Sequence, residues 1–184
     1  MDSLVIVDCQ YDFIDGSLAC SGSHEAVAYL INFINRHEME VLYTSDWHSP
    51  ANRSFKVNGG IWPIHCVAGE KGSALDRHFF ADIIDVKNRP NEENIFHKGM
   101  DDIVEEYSAF HGINKKGIPL GTMVTDHVYV GGIASEYCVK ETVFELIKAG
   151  HKVTLLVKGL GYVDYNGHLA AIDAMKKLGV EILE

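Results

Sequence analysis

Only four cysteines occur in the 184 residues, Cys9, Cys20, Cys66 and Cys138, and no two of them form a C-x-x-C pair. That is too few for a disulfide scaffold and offers no structural zinc knot, so all four are expected to be free thiols. Basic residues are also scarce: 16 Lys and Arg stand against 26 Asp and Glu, with no basic run and a formal net charge of -10. This leaves no electrostatic footprint for nucleic acid or an anionic membrane, and a small neutral or cationic ligand is easier to accommodate. The first strand-like run is not followed by G-x-G-x-x-G, and no G-x-x-x-x-G-K-[ST] appears, which weighs against a dinucleotide or P-loop site. The start, MDSLVIVDCQYDF, has an acid at position 2 and Asp8 interrupting its apolar run, unlike a signal peptide, so a cytoplasmic location is expected. There is no internal repeat, low-complexity tract or linker.

What is present suits one globular domain over residues 1–184, since 47% of the chain is hydrophobic. Apolar runs rich in β-branched residues alternate with helical patterns. Residues 3–8, 40–45, 81–86, 127–134, 152–157 and the terminal VEILE read as strands; 24–37, 101–109, 136–149 and 167–178 read as helices. Near-continuous apolar strands separated by helices imply an α/β fold: a doubly wound, mainly parallel six-stranded sheet with helices on both faces. Ligands bind such sheets beyond the carboxyl ends of the strands. The stretch between Ser45 and Ala81 is too long and irregular for an ordinary connection, and a loop of about residues 46–80 is expected to have a function.

The strand ends carry chemistry-bearing residues. Asp8, Gln10 and Phe13 follow the first, and Asp46 and His48 the second. The long loop adds Trp62 and His65, and Lys98 and Cys138 follow later runs. Singly, each has a plain reading: Asp8 as a turn residue, Lys98 as surface charge, Cys138 as a small core residue. Asp46 and His48 flank Trp47 and would point the same way in extended chain. With His65 they form a carboxylate and two imidazoles, a set suited to Zn, Fe or Mn, although D-x-H alone is a weak signal.

Taken in order, VDCQYDFIDGSLA, SDWH then SF, WPIHCVAG, HKG then YSAF, and GGIASEYCVKET resemble the motifs of nicotinamidases, members of the isochorismatase-like cysteine hydrolases. The resemblance covers nearly the whole chain. It implies Cys138 as nucleophile, Asp8 as proton acceptor and Lys98 as the third member of a triad. It implies Asp46, His48 and His65 as ligands of one divalent ion, zinc first, with iron or manganese as alternatives. It also implies a cis peptide before Ala134, an oxyanion hole made by the N–H groups of Ala134 and Cys138, and Phe13, Trp62 and Tyr107 as walls around a pyridine ring. Two positions depart from the pattern. Tyr11 follows Gln10 where the family often has Asn, and Asn52 stands where many members carry a further His, leaving Asn52, Ser54 or a water as the fourth ligand.

The implied activity is metal-dependent hydrolysis of nicotinamide, or a related aromatic carboxamide such as pyrazinamide, to the acid and ammonia through a thioester, within cytoplasmic NAD salvage. A Lys98 cation and a helix start beside Cys138 favour thiolate in this reading. Two other readings stand beside it: an amidase of the same superfamily acting on N-carbamoyl or ureido compounds, and a non-catalytic α/β module holding a small ligand. Homo-oligomerisation is left open.

Overall fold

Strand β1 (Asp2–Val7) buries Leu4, Val5, Ile6 and Val7 completely. Alternate side chains of a strand serve opposite faces. Leu4 and Ile6 join a core with Val27, Leu30 and Ile34 of helix α2 (Ser23–Arg36), the second helix after a single turn, α1 (Tyr11–Ile14). Val5 and Val7 join a second core with Val143 and Leu146 of α4 (Lys140–Lys148) and Ala171 and Met175 of α5 (Tyr165–Lys177). A strand covered on both faces has no solvent side, which is why its sequence shows no polar alternation.

The computed structural model describes residues 1–184. Its sheet adds β2 (Met39–Asp46), β3 (Ile95–Lys98), β4 (His127–Gly132), β5 (Lys152–Leu160) and β6 (Glu181–Leu183). The order is β3-β2-β1-β4-β5-β6 and every pairing is parallel. The chain winds outward from the centre in two directions, so the strand order reverses between β1 and β4. In such sheets that crevice is the expected ligand site.

Two expected elements are corrected. Residues 81–86 form no strand: a one-turn helix α3 (His78–Ala81) precedes them, Ile83 is buried under the loop, and Ile84 is exposed. The edge strand is instead Ile95–Lys98, whose short IFHK carries too few apolar residues to stand out. Residues 101–109 form no helix either. Asp101 Oδ1 accepts the N–H groups of Ile103 and Val104, and this local turn competes with helical bonding. The long segment after β2 is irregular as expected, stitched by isolated bridges His48↔Val67 and Phe55↔Trp62.

All four cysteines are free and buried. Burial pushes the thiols of Cys9, Cys66 and Cys138 well above the ordinary 9.0, and that of Cys20 up to about 12. The folded chain therefore holds these protons where the unfolded chain releases them. The stability each thiol contributes is whole below pH 9 and is lost as the pH rises from 9 through the folded value, about 12 for Cys20. Each proton difference is worth about 1.4 kcal/mol per pH unit. Urea midpoints are expected to fall steeply across this window, and a flat profile would show that the thiols ionise in the folded state.

Candidate active site

Four strand ends converge at the crevice. Asp8 follows β1, Asp46 ends β2, Lys98 ends β3, and Cys138 lies in the π-type turn Ser135–Val139 that carries β4 into α4. Asp46 and Lys98 are register partners across the β2–β3 pair. The Lys98 ammonium is 1% exposed. It pairs with Asp46 Oδ1, lies 2.9 Å from Asp8 Oδ2, and donates to Cys138 Sγ at 3.4 Å and to the Glu106 carbonyl at 3.3 Å. A buried ammonium is costly unless compensated, and here two carboxylates surround it. Thr44 Oγ1 donates to Asp8 Oδ1 at 2.6 Å and accepts the Asp8 N–H, while Asp8 Oδ2 has no aligned hydrogen bond. The side-chain ligand atoms of Asp8, Asp46 and Cys138 all lie within 4.8 Å of one another.

Electrostatics divide these groups. Burial raises the carboxyl of Asp8, with Lys98 opposing and Asp46 adding to the shift. Burial also raises the Cys138 thiol well above its ordinary range, with Asp8 and Asp46 adding to the shift, so the pull of Lys98 toward thiolate is opposed by desolvation. For Lys98, burial works against the charge, but Asp46 and Asp8 overcome it and hold the ammonium. Asp46 shows the converse balance, its burial outweighed by Lys98 and His48, and it stays ionised. A thiol beside a carboxyl of raised basicity is suited to proton transfer when the sulfur attacks.

Asp46 faces a second group. His48 Nε2 lies 3.5 Å and His65 Nε2 4.0 Å from Asp46 Oδ2, all three side chains being buried. The expected alternation holds, since Trp47 turns away to pack on His97. The Nδ1 atoms are engaged by carbonyls, that of His48 by Gly99 and that of His65 by Pro63, both at 2.8 Å. With Nδ1 as donor, Nε2 carries the lone pair, the arrangement that metal-ligating imidazoles use. The glycine at position 99 is required here: its φ is +68°, and a Cβ would lie 2.4 Å from the His48 ring.

The same pocket offers Ser54, whose buried Oγ has no hydrogen-bond partner, an unusual condition for a native hydroxyl. Asn52 is spent on its loop, Oδ1 accepting the Ser54 N–H at 2.9 Å and Nδ2 donating to the Asp101 carbonyl at 3.2 Å. Donor set, spacing and orphaned hydroxyl together fit a divalent cation.

The pocket shared by Cys138 and the Asp46, His48 and His65 group is a narrow cavity of about 40 Å³. Phe13 packs on His65 with ring centres 5.4 Å apart, and Trp62 donates through Nε1 to the Tyr107 hydroxyl at 3.1 Å. Tyr137, which the sequence reading passed over, meets Trp62 edge-on at 5.0 Å and lines the same slot. An aromatic immediately before Cys138 was its only signal. Gln10 also has a larger part than its position suggested: fully buried, its amide brackets Asp46, accepting the Asp46 N–H at 2.7 Å and donating to the Asp46 carbonyl at 2.8 Å. Ala134 follows a cis peptide bond from Ile133, and its N–H donates to no group of the protein.

Comparisons with known proteins agree along the whole chain. A family model described as the Isochorismatase domain matches residues 2–184. Nicotinamidase/pyrazinamidase of Mycobacterium tuberculosis is 31% identical over 195 residues, spanning 100% of this chain and 98% of that protein. The structure of pyrazinamidase of Pyrococcus horikoshii in complex with zinc matches with a TM-score of 0.82 and 29% identity, covering 99% of this chain and 98% of that one. Yeast nicotinamidase Pnc1p bound to the inhibitor nicotinaldehyde gives a TM-score of 0.84 at 25% identity, with 100% of both chains covered. With residues 2–184 accounted for by one family model and the same architecture found in solved relatives, this chain belongs to the isochorismatase family.

Proposed function

We propose that the protein is a metal-dependent cysteine amidohydrolase that converts nicotinamide to nicotinate and ammonia. The observation that carries this reading is the juxtaposition of Cys138, with Asp8 and Lys98 buried beside it, and the Asp46, His48 and His65 group at one aromatic-lined slot. The zinc and nicotinaldehyde named for the relatives support it. Cys138 Sγ bonds to the carboxamide carbon as its proton passes to Asp8 Oδ2. The N–H groups of Ala134 and Cys138 hold the oxyanion. Collapse breaks the C–N bond, and Asp8 returns the proton to the departing ammonia. Water then attacks the thioester, giving its proton to Asp8, and nicotinate leaves as the proton goes back to sulfur. Lys98 stays charged throughout and keeps the anionic forms of Asp8 and Cys138 compatible.

Asp46, His48 and His65 would hold zinc, with Ser54 Oγ available beside them, and the ion would supply a Lewis-acid partner for the pyridine nitrogen. Phe13, Trp62 and Tyr107 would flank the ring, being flat apolar surfaces with polar tips. The product would enter pyridine nucleotide salvage in the cytoplasm.

The test is ammonia release from nicotinamide before chelation, after it, and after zinc replacement. Suppression by chelation and recovery with zinc are expected; no release with any metal would sink the reading. Benzamide, which lacks the ring nitrogen, is expected to have a KM higher by about tenfold or more, equivalent to about 1.4 kcal/mol. Equal KM values would remove the orienting role of the metal group.

A further inference from the structure

Asp12 belongs to the first sequence motif, VDCQYDF, yet the proposed chemistry gives it no task. Its carboxylate has no cationic partner. Oδ2 accepts the Cys66 N–H at 2.8 Å and Oδ1 accepts the Ser17 N–H at 3.3 Å. Cys66 is unusual in its backbone: with φ of +48°, it and Asp8 are the non-glycine residues in the left-handed region. A side chain there costs of order 1–2 kcal/mol, and the conformation persists where the surroundings hold it.

Cys66 directly follows His65, and its carbonyl accepts the His48 N–H at 3.1 Å. The left-handed residue thus links the backbones that carry the two imidazoles: it follows His65 in the chain, its N–H is on Asp12 and its C=O takes the His48 N–H. Phe13, the neighbour of Asp12 on α1, packs against the His65 ring. Room around the carboxylate is minimal, since a Cβ at Gly72 would lie 2.0 Å from Asp12 Oδ2.

We propose that Asp12 is a positioning residue for the metal group: by holding the Cys66 N–H it fixes the turn that presents His65, and through the Cys66 carbonyl His48, to Asp46. The inference rests on the metal reading above. Partners of metal ligands of this kind typically change affinity 10–100-fold when removed.

Zinc affinity, measured by competition with a chromophoric chelator, tests it. Asp12→Ala is expected to weaken zinc binding about 10–100-fold. Asp12→Asn, whose amide oxygen can accept the same N–H as a weaker neutral acceptor, is expected to stay within about threefold of wild type. Equal affinity in Asp12→Ala and wild type would overturn the role of Asp12, whereas wild-type protein that binds no zinc would overturn the metal reading first. Hydrogen exchange on the metal-free wild-type protein needs no variant. A protected Cys66 amide supports a turn held by Asp12 before the ion arrives. Exchange at the unprotected rate until zinc is added would show that the ion orders the turn, and would overturn the proposal.

Discussion

Cys138→Ala is expected to lower ammonia release from nicotinamide by about 10⁴-fold or more, the scale seen when a covalent nucleophile is removed. Zinc content and melting temperature should change little, because the side chain is small and Lys98 keeps its stronger partners, Asp46 and Asp8. The pocket contains another thiol, Cys20, but it cannot take over. Burial raises it as it raises Cys138, but no cation offsets that burial, Glu136 adds to it, and its Sγ donates to the Leu18 carbonyl at 3.3 Å. Steady-state turnover of the purified variant decides the matter, and activity within a few fold of wild type would remove the thioester route. An acid-quenched wild-type reaction should in addition carry an acyl group on Cys138 and not on Cys20.

Lys98→Met should damage both stability and activity. The substitution keeps an unbranched chain of similar length but leaves Asp8 and Asp46 buried without their cation. Breaking a buried pair from one side costs about 3–5 kcal/mol. Without Lys98 the carboxyl of Asp8, already raised by burial, rises further above the unfolded value near 4, and that of Asp46 loses the larger of the charges that hold it down and rises as well. The unfolded chain then releases these protons before the folded one does. The variant's deficit is therefore smallest below about pH 4 and grows as the pH rises toward neutrality. Denaturant unfolding of the metal-free variant across that range checks the sign, and a deficit independent of pH would mean that Lys98 stabilises by packing alone. Ammonia release should fall at least about 100-fold, since both the proton acceptor and the thiol lose their compensating charge.

The doubly wound sheet was legible because its central strands are buried on both faces, and runs such as SLVIV and KVTLLV leave no other reading. The edge strand was not. Ile95–Lys98 pairs with the sheet on one side only and ends in a lysine that looks like surface charge until four partners are found around it. The expected strand at 81–86 failed for the complementary reason: a pair of isoleucines is also what a loop needs to anchor itself, and only Ile83 is buried.

Residue types and local spacing were enough to put Asp46 and His48 on one side of extended chain, to mark Cys138 at a turn into a helix, and to raise the family resemblance. Those features depend on backbone period and side-chain chemistry, which are local. Whether the thiol is ionised, which of Asn52 and Ser54 is free, and why Asp12 matters to His65 depend on burial and on contacts between distant segments. Desolvation is set by the packed surroundings, and the strand order that brings Asp8, Lys98 and Cys138 to one crevice exists only once the sheet has formed.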